Sequence, residues 1–295
     1  MMSRLVGRWF RSLTILIVVS IVVSGATFST AQVHFRLEPR NRVEKRLKSF
    51  SDDNQIREDR IYKWLAESGC SKPNLSEQTP KFGLPPNVIC VVPGETSDVI
   101  VVGAHTDKVM RAGDGVVDNW TGASLLPSLV FSLTSEKRHH TFIFVGFTAE
   151  ERGMIGSAYY VDHLKPEQRA KIAAMVNMDS LGLSPTKVWE SHSDKVLLDA
   201  LASVALATKL PVSPVNVDKV GTTDSESFAR YQIPRITLHS VTDDTITVLH
   251  SPKDTMSAVK MDDFYDSYHL IAEYLAYLDG ALTSSRAVEP GKAPQ

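Results

Sequence analysis

The chain has 295 residues, 43% of them hydrophobic and 22% charged, which is ordinary globular usage and argues against wholesale disorder. Lys and Arg number 32 and Asp and Glu 34, so the formal charge is -2, and no basic excess exists to neutralise a nucleic-acid backbone. A single long apolar stretch excludes a polytopic membrane protein, and two cysteines are too few for a thiolate zinc site. Any bound metal must be held by histidines and carboxylates.

In chain order, Arg4, Arg8 and Arg11 precede an apolar run from Leu13 to Val23, and small residues follow through Ser24, Gly25 and Ala26 to Ala31. A charged start, a short apolar core and a small-residue exit predict a secretory signal peptide over 1–31, ending after Ala31 or Ala26. The expected location is then secreted or periplasmic. The other reading is an uncleaved anchor that tethers the chain to a membrane. Outside the cytoplasm Cys70 and Cys90 can pair, although two half-buried thiols fit the sequence equally well. Asn74-Leu-Ser and Asn119-Trp-Thr match the glycosylation pattern, a match common by chance.

Residues 39–69 read as helix, from the spacing of Val43, Leu47 and Phe50 and then of Ile61, Trp64 and Leu65. Residues 70–86, broken by Pro73, Pro80, Gly83, Pro85 and Pro86, read as loop. The β-branched runs 87–92 and 99–103, joined by Pro93 to Asp98, predict a hairpin. Residues 121–135 suit a helix, 141–147 a strand buried on both faces, 154–164 a helix and 173–178 a second buried strand. Residues 195–210 form an amphipathic helical pattern, 233–239 and 245–249 are short strand candidates, and 262–282 is a closing helix. Strands alternating with helices predict a single α/β domain over 32–283 with a largely parallel central sheet. The polar residues 284–295 are expected to be a disordered tail.

In such sheets ligands bind beyond the carboxyl ends of the strands. Strand 99–104 leads into His105-Thr106-Asp107, and the next loop holds Asp118-Asn119. Strand 141–147 leads into Thr148-Ala149-Glu150-Glu151, strand 173–178 into Asp179, and Leu249 into His250. Five segments deliver a metal-ligand residue type to one sheet edge. If Asp118 bridges two ions, one takes His105, Asp118 and Asp179, and the other takes Asp118, Glu151 and His250, with an open position for water. Asp107, two residues past His105, can fix the histidine tautomer. Spacing alone does not decide which glutamate binds metal and which relays a proton.

Each of these residues alone has a plainer explanation. A histidine at a strand end is usually a polar boundary, Glu150-Glu151 a solvated turn, Asp118-Asn119 a turn, and Asp179 a cap. Five such coincidences at one edge favour a functional site. His139 and His140 read as surface residues. His34, His163, His192 and His269 have no partner pattern. His239 reads as a hydrogen-bonded interior residue and Asp243-Asp244 as an exposed turn. Asp254 either orients His250 or shapes the loop. Trp120 is either cleft wall or core.

The stretches Val101-Val-Gly-Ala-His-Thr-Asp107, Val117-Asp-Asn-Trp-Thr-Gly122, Phe147-Thr-Ala-Glu-Glu-Arg-Gly153, Val176-Asn-Met-Asp179 and Leu249-His-Ser-Pro-Lys-Asp-Thr255 resemble the secreted dizinc aminopeptidases typified by bacterial leucyl aminopeptidase, over about residues 87 to 278. The resemblance implies a three-layer sandwich with helices on both faces of a mixed sheet. It also implies two zinc ions and peptide substrates, with Glu150 as general base and His105, Asp118, Glu151, Asp179 and His250 as ligands. A cis peptide between Asp118 and Asn119 is implied as well. Members of that family often carry Asp-His where this chain has Asp224-Ser225, a difference that concerns substrate contacts. A glutaminyl-peptide cyclotransferase with one zinc, and a non-catalytic binding relative, are the competing readings.

Overall fold

The structure, a computed structural model, describes residues 34–282 except 111, 219 and 220. The expected signal peptide and the tail 284–295 lie outside the described residues. Among the described residues eight strands form one sheet: β1 (Leu75–Gln78), β2 (Asn87–Val92), β3 (Val99–His105), β4 (Thr141–Phe147), β5 (Ile172–Met178), β6 (Lys187–Val188), β7 (Ser213–Pro214) and β8 (Arg235–His239). Their order is β1-β2-β4-β3-β5-β8-β6-β7. The central β4, β3, β5 and β8 run parallel. β1, β2 and β6 pair antiparallel with their neighbours β2, β4 and β8.

Side-chain alternation along the strands divides the interior into two cores. Ile100, Val102, Ala104, Phe142 and Phe144 face one side, where they meet helices α1 (Arg40–Leu47), α2 (Asn54–Glu67), α3 (Thr121–Leu133), α6 (Lys195–Thr208) and α8 (Met261–Ala281). Val101, Val145, Phe147 and Met175 face the other, against Tyr160 and Val161 of α4 (Ile155–Asp162) and Phe228 of α7 (Ser225–Ala229). A short α5 (Pro166–Arg169) leads from α4 into β5. This is the expected sandwich, with helices on both faces of a mixed, largely parallel sheet. None of the described helices is long and apolar enough to cross a membrane.

Several local expectations are corrected. β2 and β3 are not a hairpin. β4 lies between them, antiparallel to β2 (Val88 opposite Gly146) and parallel to β3 (Val101 opposite Ile143). Composition marks both runs as strands but does not say with what they pair. The single helix expected over 39–69 is two, because Asp53 starts α2 by accepting the N–H groups of Gln55 and Ile56. The loop expected over 70–86 contains edge strand β1. Residues 245–249 hold a short turn of 3-10 helix, Ile246–Val248, rather than a strand. His140 is fully buried, not a surface residue, and its backbone N–H donates to Asp279 Oδ1 at 2.7 Å. His139 is exposed.

Cys70 and Cys90 form a disulfide that ties the segment after α2 to β2 across 20 residues. Closing a loop of that length stabilises a fold by about 3 kcal/mol, mainly by restricting the unfolded chain. Urea unfolding of the Cys70→Ala/Cys90→Ala double variant should therefore show a loss of about 2–4 kcal/mol. An unchanged midpoint would contradict a covalent tie at this position.

Candidate metal centre

The three neighbouring parallel strands β4, β3 and β5 end together, with His105 in register opposite Phe147 and Asp179 directly after β5. Their termini therefore set His105, the Glu150-Glu151 pair and Asp179 around one edge. Asp118 arrives on the buried segment Val116–Trp120 that leads into α3. The Asp118–Asn119 peptide is cis. Asn119 fastens this segment to the end of β5. Its Nδ2 donates to the Met178 carbonyl at 2.8 Å, and its Oδ1 accepts from Gly122 N at 3.0 Å and Ser180 N at 3.2 Å. Residue 122 must be small here, because a Cβ would lie 2.5 Å from Asn119 Oδ1 and 2.8 Å from the Met178 carbonyl oxygen. Asp254 shapes the same segment rather than orienting His250: its carboxylate accepts Val117 N at 2.6 Å and Asp118 N at 3.2 Å.

The two oxygens of Asp118 face different imidazoles. Oδ1 lies 3.1 Å from His105 Nε2, and Oδ2 lies 3.1 Å from His250 Nε2. Glu151 Oε2 is 3.1 Å from His250 Nε2, and Asp179 Oδ1 is 3.8 Å from His105 Nε2. Two trios result, His105–Asp118–Asp179 and Asp118–Glu151–His250, each with one donor atom per residue and all three within 4.8 Å of one another. Ligands held at zinc distances around a tetrahedral ion sit about 3.3 Å apart, so this spacing fits the ion. Glu150 also reaches the group, forming a third such set with His105 and Glu151.

Supporting contacts orient these donors. His105 Nδ1 lies 3.2 Å from the Asp107 carbonyl oxygen and 3.5 Å from Asp107 Oδ1, so a proton on that nitrogen has partners and Nε2 is aimed at the site. The Asp107 carboxylate chiefly accepts the backbone N–H groups of Glu150 at 3.0 Å and Glu151 at 3.3 Å. Asp107 thus positions both glutamates as well as the histidine. Thr223 Oγ donates to Asp179 Oδ2 at 2.8 Å while accepting from Asn177 Nδ2 at 2.8 Å.

Too many carboxylates crowd this site for all of them to stay ionised beside neutral imidazoles. Burial pushes Glu150 up to about 10; His105 opposes this, while Asp224, Asp179 and Asp118 add to it. Hydrogen bonds to Asp118 and Glu151 raise His250 to about 10. Burial works against charge on His105, yet its hydrogen bonds to Asp107, Asp118 and Asp179 raise it well above the usual histidine range. Asp118, despite its burial, is held below the carboxylate range by His105 and His250. Protons thus collect where divalent cations would otherwise supply the positive charge.

A cleft of about 520 Å³, including its open mouth, adjoins the group and is lined by Asp118, Glu150, Asp179 and His250 at one end. Trp189, Val217, Val241 and Leu249 give it apolar walls. His239 lines it too, and is satisfied by backbone: Nε2–H donates to the Val215 carbonyl at 2.9 Å and Nδ1 accepts from Val241 N at 3.1 Å. Burial holds it at about 4, so it is neutral. Trp189 and Val217 were not legible as site residues. His192, read as unpartnered, stacks on Trp189 at 4.3 Å and bonds Glu226 at 2.6 Å and Asp218 at 3.2 Å. Trp120 is core, packed against Trp64 at 5.7 Å. Asp243 and Asp244 are exposed. Asp224 and Ser225, the pair that departs from the family's frequent Asp-His, are both fully buried, and Ser225 Oγ accepts from Thr237 Oγ at 2.9 Å.

The Peptidase family M28 profile matches residues 87–275. Among curated proteins, "Leucine aminopeptidase 2" of Trichophyton equinum is 36% identical over 89 residues, which are 30% of this chain and 18% of that protein. "Aminopeptidase" of Pseudomonas aeruginosa is also 36% identical over 89 residues, 30% of this chain and 16% of that one. These matches span less than a fifth of either relative. Among solved structures, LapB of Legionella pneumophila superposes with TM-score 0.68 at 19% identity, covering 81% of this chain and 71% of that one. BSAP, a zinc aminopeptidase from Bacillus subtilis, gives 0.60 at 21% identity, covering 69% and 52%. The glutaminyl cyclase of Porphyromonas gingivalis gives 0.65 at 16% identity, covering 80% and 95%. With the matched profile spanning most of the sheet and every strand end around Asp118, the chain belongs to peptidase family M28.

Proposed function

We propose that the protein is a zinc-dependent aminopeptidase that removes uncharged, apolar N-terminal residues from peptides, using a co-catalytic pair of ions. The observation that carries this reading is the double sharing of Asp118, one oxygen toward His105 and the other toward His250. His105 and Asp179 would hold one ion with Asp118, and Glu151 and His250 the other. Bound there, the ions would supply Lewis acidity and acidify a water. With the site filled, Glu150 would be easier to deprotonate, and its carboxylate would take the proton from water and return it to the leaving amine.

The family match and the aminopeptidase relatives support aminopeptidase over carboxypeptidase chemistry. The single-zinc cyclotransferase reading rests on fold likeness alone, whereas two complete donor trios favour a pair of ions. The amino-terminal pattern of residues 1–31 and the Cys70–Cys90 disulfide support work outside the cytoplasm, in a secreted or periplasmic setting.

Three outcomes are expected. Glu150→Gln should keep its zinc while kcat falls roughly a hundredfold to ten-thousandfold, whereas Asp118→Ala should lose zinc; turnover by Glu150→Gln near that of the wild type would remove the general-base role. Zinc affinity of the metal-free protein should rise with pH toward about 10, because the ligands His250 and His105 carry protons that binding must displace. Chelator competition at pH 6 and pH 8 measures this, and a pH-independent affinity would contradict the protonation described. Finally, kcat/KM for peptides beginning with Leu or Phe should exceed that for Asp or Lys by about tenfold or more. A preference for charged N-termini would overturn the apolar assignment of the cleft.

A further inference from the structure

Helix α2 lies before the segment matched by the family profile, yet it reaches the metal centre through two adjacent buried residues. The Arg57 side chain is fully buried and makes no ion pair at salt-bridge distance among the described residues. All its hydrogen bonds go to backbone carbonyls. Nε donates to the Thr106 carbonyl, and Nη2 donates to the Gly115 carbonyl at 2.8 Å. Nη1 lies 3.3 Å from the Ser51 carbonyl and 3.4 Å from that of Asp114. Thr106 sits between His105 and Asp107. Gly115 starts the segment that carries Asp118, and its φ of 61° places it in the left-handed region.

One guanidinium therefore joins the two stretches of chain that deliver His105 and Asp118. Its planar fork suits two carbonyls approaching from different strands of chain, which an ammonium cannot copy. Glu58, next in α2 and also buried, contacts Thr106 Oγ, and that hydroxyl donates to the Phe147 carbonyl at 3.0 Å. Burial raises Glu58 well above the carboxylate range, and the hydrogen bond donated by Thr106 Oγ opposes this. The guanidinium stays charged, since burial lowers it only to about 10, and it lies over the Trp120 ring at 5.0 Å. It also places a fixed positive charge behind Asp107 and Asp118, whose own negative charge favours it.

We infer that Arg57 is a positioning residue for the metal centre: its fork sets the spacing between His105 and Asp118 by holding the Thr106 and Gly115 carbonyls together. The inference rests on the reading that these side chains bind zinc. Arg46 provides the control. It too is a buried arginine of the N-terminal helices, its guanidinium paired with Glu38 and donating to Ser128 Oγ at 2.9 Å; its contact with the Asp118 segment is through its backbone carbonyl, which accepts from Trp120 Nε1 at 3.2 Å and which a lysine keeps.

The experiment measures zinc affinity of the full chain by chelator competition and by thermal shift across a zinc titration, for wild type, Arg57→Lys and Arg46→Lys. Arg57→Lys should bind zinc about tenfold to a hundredfold more weakly, as expected when a partner that orients ligands is lost. Arg46→Lys should lower the melting temperature without changing zinc affinity. Wild-type affinity in Arg57→Lys, or an equal loss in Arg46→Lys, overturns the inference. An Arg57→Lys protein that folds at no zinc concentration assigns the residue to general stability and overturns it as well, whereas folding restored by excess zinc supports it. Absence of zinc binding by the wild type would instead defeat the proposed function, so the two failures are distinguishable.

Discussion

The site depends on one carboxylate placed between two imidazoles. Asp118 can face His105 with one oxygen and His250 with the other only because its segment is held from several directions. Asp254 accepts the N–H groups of residues 117 and 118 from below the loop, Asn119 ties the segment to the end of β5, and Arg57 holds its start against the end of β3. None of these three holds a donor atom of either trio. Their contribution is to take a loop, ordinarily the most adaptable part of a fold, and fix its backbone as firmly as a strand.

The sheet does the rest. Parallel strands ending at the same edge bring His105, Glu150, Glu151 and Asp179 together without long-range coincidence. The cost is electrostatic, since buried carboxylates at close range repel and desolvate one another. His105, His250 and Glu150 are accordingly all shifted upward, and bound divalent cations would supply the positive charge instead. Stability and function are thereby opposed at this edge and supportive elsewhere, where the two apolar cores carry the fold.

The legible features were those with local signatures. Buried strands β4 and β5 show as apolar runs, and the donor residues stand at strand ends, where the chemistry of α/β sheets concentrates. Pairing was not legible: β2 and β3 are adjacent in sequence, but β4 separates them in space, because register depends on contacts that no short window contains. Arg57 and Glu58 gave no signal either. An arginine and a glutamate side by side in an amphipathic helix ordinarily face water, and the packing of α2 against α3 and β2, beside the residues that follow β3, turns them inward. Trp189 was likewise invisible, since the cleft wall it forms depends on how distant loops meet. His140 was misread because its partner, Asp279, lies far along the chain in α8.

The most direct measurement is anomalous diffraction at the zinc absorption edge from crystals of the protein grown with zinc. The account requires two anomalous peaks, one on each side of the Asp118 carboxylate, the first next to His105 and Asp179 and the second next to Glu151 and His250. A single peak, or two peaks that do not share Asp118, would contradict it.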